Sequence, residues 1–309
     1  MLANFLDKTK PIIFVLLVSF FFLFFFANIF FGNTTPILNF DLFSILLKNG
    51  VLFTTIFFLF NFIVGKNELT YDNGYAFFLF ILFAICSIED YLNSSVALNL
   101  FVQLLFVRKL YSLKSSKNII KKIFDAGFWL AILCLLEPIF IGYAVLLYIA
   151  VFLHQKITFN TVLTPILGFL APVIVVFSYY LWIESPEWIS HLNFSRYSWG
   201  YEAYFDGKLL YFVSLLILLA FTALILKSPF KLTFKNTFRK NYMVLSFHLI
   251  IAFVLLFFSA QKSSTEMLYV LFPATVIIAN GVELVSDKLY RNVFISVILA
   301  FFLTYTFAL

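Results

Sequence analysis

Between Pro11 and Phe31 the chain runs for 21 residues without one charged side chain, and six of the seven residues from Phe20 to Phe26 are phenylalanine. As a helix such a segment is about 30 Å long, the thickness of a bilayer's hydrocarbon core. Exposing it to water is costly, and phenylalanine brings no polar atom that lipid would leave unsatisfied. The pattern then repeats. Apolar stretches over 11–32, 43–65, 75–88, 96–107, 124–136, 139–153, 160–183, 209–227, 241–260, 265–284 and 292–309 are separated by brief polar punctuation. Backbone groups in lipid must be satisfied locally, and these runs lack the alternation of barrel strands. The expected fold is therefore all-α: a polytopic transmembrane helix bundle of about eleven membrane helices, one integral membrane domain over 1–309. Composition agrees, with 63% hydrophobic and 12% charged residues against about 45–50% and 25% in soluble domains. The first run is too long for the ~7–15-residue core of a cleaved signal peptide, so it reads as a retained helix.

Charge sets the expected orientation. With the N-terminus in the cytoplasm and alternating crossings, 17 of the 21 Lys and Arg residues fall on the cytoplasmic side, leaving Lys48, Arg196, Lys208 and Lys262 outside. That asymmetry is what the positive-inside rule predicts. It also accounts for the net charge of +6: basic clusters between apolar runs meet anionic head groups, and no nucleic-acid partner is expected. Four stretches, 75–88, 96–107, 124–136 and 139–153, fall short of the ~20 residues of a full crossing. They read as two short hairpins entered from the cytoplasm. Fusing the second pair at Glu137-Pro138 would carry the cluster Lys227–Lys240 to the outside, so the two arms stay separate. With ten glycines and no GxxxG, close crossing through small residues is not the expected main packing mode. No internal repeat points to an inverted-repeat transporter.

Cys86 and Cys134 lie in apolar runs, and neither His154 nor His248 has a second ligand at i+3 or i+4. No metal site and no cofactor are expected. Nine of the fifteen carboxylates fall on the outward side. Asp41 follows the first span within an apolar stretch, Ile37–Leu47, that reads as a helix lying along the outer interface. Glu89 and Asp90 form the tip of the first short hairpin. Carboxylates held at membrane depth are costly and mark function, whereas an ordinary wet turn is the plainer reading. The longest outward connection, 184–208, combines Trp188, Trp199 and Tyr201 with His191 and Arg196. Such rings can stack on a sugar and such a guanidinium can hold a phosphate, and the same residues also suit an interfacial aromatic belt. The candidate catalytic residues are thus Asp41, Glu89 and Asp90, and the candidate substrate-binding residues are Arg196, His191, Trp188, Trp199 and Tyr201.

Two stretches carry a resemblance. Residues 94–153, from SSVALNLFVQLLFVRKLY to YAVLLYIAVFL, resemble the middle of a C-type membrane glycosyltransferase, where a helix with a basic cytoplasmic end precedes a "DAG"-like turn and a helix pair broken by Pro. Residues 266–283, EMLYVLFPATVIIANGVE, are similar to a late helix of that superfamily. The resemblance implies a polyprenyl-phosphate-linked sugar as donor and an acidic residue in the first outward loop as the catalytic group, a position that Asp41 matches. As a whole the chain resembles an uncharacterised multi-pass family of Bacteroidota. The expected role is in cell-envelope biogenesis at the inner membrane, with membrane lipid as a partner. The alternatives are an assembly subunit bound to other inner-membrane proteins and a transporter.

Overall fold

The structure, a computed structural model, describes residues 2–31, 40–88, 92–184, 197, 204, 207–227, 236–259, 263–285 and 287–307. Among them are twelve α-helices and no strand: α1 (Leu2–Leu6), α2 (Pro11–Phe31), α3 (Phe40–Lys66), α4 (Tyr75–Ser87), α5 (Ser94–Tyr111), α6 (Ile119–Leu136), α7 (Tyr143–Leu153), α8 (Phe159–Trp182), α9 (Gly207–Leu226), α10 (Asn236–Phe258), α11 (Leu268–Leu284) and α12 (Lys288–Phe307). Eight helical segments among the described residues are long and apolar enough to cross a bilayer, so the chain is a multi-pass helical membrane protein. Contacts divide it into two compact units: Met1–Leu98, Tyr201–Thr233 and Lys262–Leu309 form the first, Asn99–Gly200 and Phe234–Gln261 the second.

The first unit is built around α11, of whose 17 residues 15 are buried. It packs on α4, all 13 residues of which are buried, and on α9. Helices apolar on every face are those surrounded by other protein. Phenylalanine supplies the packing. Phe60 stacks on Phe80 with ring centroids 4.0 Å apart and meets Phe272 edge-on at 5.5 Å, while Phe57 sets its edge against Phe21 at 4.7 Å. Such pairs add about 0.5–1.5 kcal/mol to the area they bury. The starts of α2, α4 and α12 share one end of this unit. There the Gly74 amide donates to the Leu6 carbonyl (2.8 Å), Arg291 binds Asp7 (2.5 Å), the Tyr75 hydroxyl donates to the same Asp7 oxygen (2.7 Å), and Thr9 donates to Asp72. The ends of α9 and α11 close at that end too, through Lys227 and Glu283 to the 67–74 loop. Helices that alternate in direction require this arrangement.

The second unit centres on α6 against α8 and on α7 against α10. α6 breaks at Glu137, whose φ/ψ of −141°/105° is extended, and a 3-10 turn over Pro138–Gly142 leads into α7. The Lys156 ammonium, beyond α7, reaches the Ser116 hydroxyl, before α6, at 2.8 Å. The two helices therefore return to the same end as a hairpin, as the charge argument requires.

Three expectations change. First, the arms read as 96–107 and 124–136 are the helices Ser94–Tyr111 and Ile119–Leu136, of 18 residues each. Charged residues bound their apolar runs, but Lys109, past the end of the first, is paired with Asp125, and Lys122, ahead of the second, is held by the carbonyls of Ser112 and Ser115. Each hairpin thus has one long arm and one short one. Second, Asp41 does not lie on a separate interfacial helix. α3 runs unbroken for 27 residues because Asn49, which looks like a helix end, is buried and donates to the Leu92 carbonyl at 3.1 Å. Third, one crossing does use glycine. A Cβ on Gly127 of α6 would overlap the Pro165 carbonyl of α8, and a Cβ on Gly168 of α8 would overlap the Phe124 carbonyl of α6. The two bare backbones touch reciprocally, the packing mode that small residues permit in lipid.

Candidate functional site

Asp41 stands in the first turn of α3, where a carboxylate meets the positive end of the helix dipole. Ser44 and Lys48 follow at i+3 and i+7, which places all three on one helix face, and all three are exposed. The Lys48 ammonium donates to the Ser94 hydroxyl (3.1 Å) in the first turn of α5, and the Ser94–Ser95 turn is opened by Asn93, whose side-chain oxygen accepts from the Ser95 amide (3.0 Å). A carboxylate, an ammonium and hydroxyls therefore share one accessible end of the first unit. Of the other residues singled out in the sequence, Glu89, Asp90, Trp188, His191, Arg196, Trp199 and Tyr201 lie outside the described residues. Glu137 accepts a hydrogen bond from the Tyr197 hydroxyl at 2.8 Å. Near the start of α11, Glu266 is buried and bound by Tyr204 at 3.3 Å. Burial and that carboxylate hold the tyrosine hydroxyl well above its usual pKa.

The opposite end of this unit holds a polar cluster that sequence reasoning passed over. The side chains of Lys227 and Glu283 are 0% and 3% exposed. Lys227 donates to Asn280 (2.5 Å) and Glu283 (3.1 Å) and lies over the Tyr71 ring. Glu283 also accepts from the Tyr71 amide (2.8 Å) and the Asn73 side chain (2.7 Å), and Asn280 donates to the Leu69 carbonyl (2.9 Å). Burial lowers the pKa of Lys227 while the Glu283 carboxylate opposes the shift. A carboxylate with three donors and an ammonium with two acceptors form a satisfied clasp that pins the 67–74 loop to α9 and α11. Asn280, inside an otherwise apolar span, was the available signal, since polar residues in membrane helices are rare and interact.

In the second unit, buried polar groups line up along α5, α7 and α10. Gln103 donates to the Tyr143 hydroxyl at 3.0 Å, and the Tyr111 hydroxyl lies 3.3 Å from Nδ1 of the fully buried His248. At one end of this unit Lys109 pairs with Asp125 at 2.6 Å beside Lys122 and Lys156. No group of three His, Cys, Asp or Glu side chains that could hold a metal ion occurs among the described residues.

The whole chain, residues 1–309, matches the family of unknown function DUF6427, to which it therefore belongs. No curated protein and no solved structure matches it.

Proposed function

We propose that this member of DUF6427 works on a phosphate-linked lipid at the outward end of α3, transferring a sugar from a polyprenyl-phosphate donor in the biogenesis of the cell envelope. What supports this reading is the exposed face of Asp41, Ser44 and Lys48, joined to α5 through Ser94. In the proposed reaction Asp41 takes the proton of an acceptor hydroxyl. The freed oxygen attacks the anomeric carbon, the bond from that carbon to the phosphate oxygen breaks, and the polyprenyl phosphate leaves with the electron pair. Lys48 stabilises the charge that gathers on the departing phosphate, a task suited to a compact ammonium. On the sequence alone, Glu89 and Asp90 remain further candidate catalytic groups, and Arg196, His191, Trp188, Trp199 and Tyr201 the candidate substrate-binding groups. The charge asymmetry supports an orientation with this end outside and the N-terminus in the cytoplasm, in keeping with an inner-membrane location.

A general base supplies about 10²–10⁴-fold in rate, whereas an ordinary surface carboxylate is dispensable within about 0.5 kcal/mol. Asp41→Asn and Lys48→Ala should therefore leave expression and melting unchanged and abolish complementation of a deletion strain's envelope defect. A second reading, an assembly subunit, draws on the groove along α12, where Asn292, Ser296 and Ala300 recur at a four-residue spacing suited to close helix association. It predicts full complementation by the Asp41→Asn, Lys48→Ala double variant, a result that would remove the enzyme reading.

A further inference from the structure

Around the loop between α5 and α6, the second unit gathers cations with little to balance them. The ammonium groups of Lys109, Lys122 and Lys156 stand close enough that the other two lower the pKa of Lys122 further than burial alone does. Asp125, the carboxylate among them, is committed to Lys109. Lys122 reaches the Ser112 and Ser115 carbonyls at 2.7 and 3.0 Å, and Lys156 reaches the Ser116 hydroxyl at 2.8 Å, which leaves that hydroxyl's proton available to an acceptor. His154, 7% exposed, sits with Lys156, Lys240 and Asn241, and its Nε2 has no hydrogen-bond partner. Buried polar atoms are normally paired.

Deeper along the same helices lies an apolar groove of about 160 Å³ between α6, α7 and α8. Gly127, Leu130, Leu147 and Pro165 are its buried floor, and Tyr148 and Ile166 are exposed on its rim. The glycine crossing closes the groove on one side, where the Gly127 backbone abuts Pro165. The register between the two features is set by helix rise. From Lys122 to Gly127 is five residues and from Tyr148 to His154 is six, or about 8–9 Å at 1.5 Å per residue. A bilayer's polar layer is about 5–8 Å thick on each side. A phosphate held by the lysines therefore places the head of its acyl chain at the mouth of the groove.

We propose that this end of the second unit binds one anionic glycerophospholipid, its phosphate among Lys122, Lys156, Lys240 and His154 and one acyl chain in the groove between α6, α7 and α8. Free phosphate would leave the groove unused. The polyprenyl donor of the proposed reaction belongs to the outward end, whereas these cations belong to the side where basic residues predominate. The site does not depend on the enzyme reading.

The test uses the full-length protein in nanodiscs of phosphatidylcholine, with spin-labelled phosphatidylglycerol as probe. The wild type should immobilise the probe in preference to labelled phosphatidylcholine, and rising salt should weaken that preference. Each lysine near a membrane surface is worth about a five-fold change in affinity. Lys156→Gln with Lys240→Gln, which leaves the Lys122 contacts in place, should lower affinity about 25-fold. Ala144→Phe, which fills the groove, should release the acyl chain while leaving any binding of inorganic phosphate unchanged. Equal immobilisation of the two lipids, an affinity unmoved by these variants, tighter binding of a polyprenyl phosphate, or inorganic phosphate displacing the probe at micromolar concentration would each overturn the proposal. The salt dependence is read on the wild type alone, so a variant that fails to fold does not shield the idea.

Discussion

Gly127→Ala is the smallest change that puts the helix crossing of the second unit to the test. The added Cβ would overlap the Pro165 carbonyl oxygen, with the carbonyl carbon and Cα of the same residue at 3.0 Å. These are backbone atoms, so no rotamer change relieves the contact. α6 and α8 must separate by about 1 Å to restore the ordinary C···O distance of ~3.3 Å. Overpacking of this kind costs about 1–3 kcal/mol, and the loss of close Cα–H···O contacts adds about 0.5–1 kcal/mol. The expected loss is about 1.5–4 kcal/mol, and Gly168→Ala, facing the Phe124 carbonyl, should match it. The double variant should lose less than the sum, because one separation accommodates both methyl groups. The assay is loss of the monodisperse peak after heating in mild detergent. Gly65→Ala is the control, since nothing lies within 4 Å of its Cβ and helix propensity favours the change by up to about 1 kcal/mol. Gly127→Ala and Gly168→Ala melting together with Gly65→Ala would refute the close crossing.

Two more perturbations address the buried and basic ends. Lys227→Met leaves Glu283 charged and nearly inaccessible, a loss of about 3–5 kcal/mol; adding Glu283→Gln should restore most of the melting temperature, and a double variant as unstable as the single one would count against the ion pair. His154, buried beside Lys156 and Lys240, has its pKa pushed down from 6.5 to about 4. The unfolded chain therefore binds the proton first as pH falls: its contribution is intact above about pH 6.5 and is lost as pH falls towards 4, each unit being worth about 1.4 kcal/mol. A His154→Phe variant should melt with a flatter pH dependence between pH 7 and 4, and an unchanged slope would rule out this histidine as the source.

Which features the sequence revealed follows from where their partners lie. Long apolar runs declare themselves, because the bilayer sets one length and each helix satisfies its own backbone, so the existence of α2, α3, α8, α9 and α10 was plain. The true ends of α5 and α6 were not. Lys109 and Lys122 end the apolar runs, yet their partners are Asp125, sixteen residues on, and the turn before α6. The Gly127–Gly168 contact escaped because its halves sit on different helices, so no GxxxG exists within either. Lys227 was read as one basic residue of the cytoplasmic side. Its burial could not be read, since Asn280 and Glu283 come 53 and 56 residues later. Asp41 was legible as an isolated acid in an apolar stretch. Its companionship with Lys48 emerged only when α3 proved continuous.

The first unit is stitched from three separated stretches of chain, the last beginning at Lys262. During synthesis this has a cost in time. α4, buried on every face in the finished fold, leaves the ribosome long before α11, the helix that covers it, and Asp7 waits for Arg291 until α12 begins to emerge. Until then the 13 residues of α4, too short to span the membrane, need a temporary lodging at the insertion machinery or among lipids. The second unit, completed by Gln261, can assemble earlier, although it begins later. A chain truncated and released after Gln261 should therefore carry a protease-resistant second unit and a first unit still open to digestion.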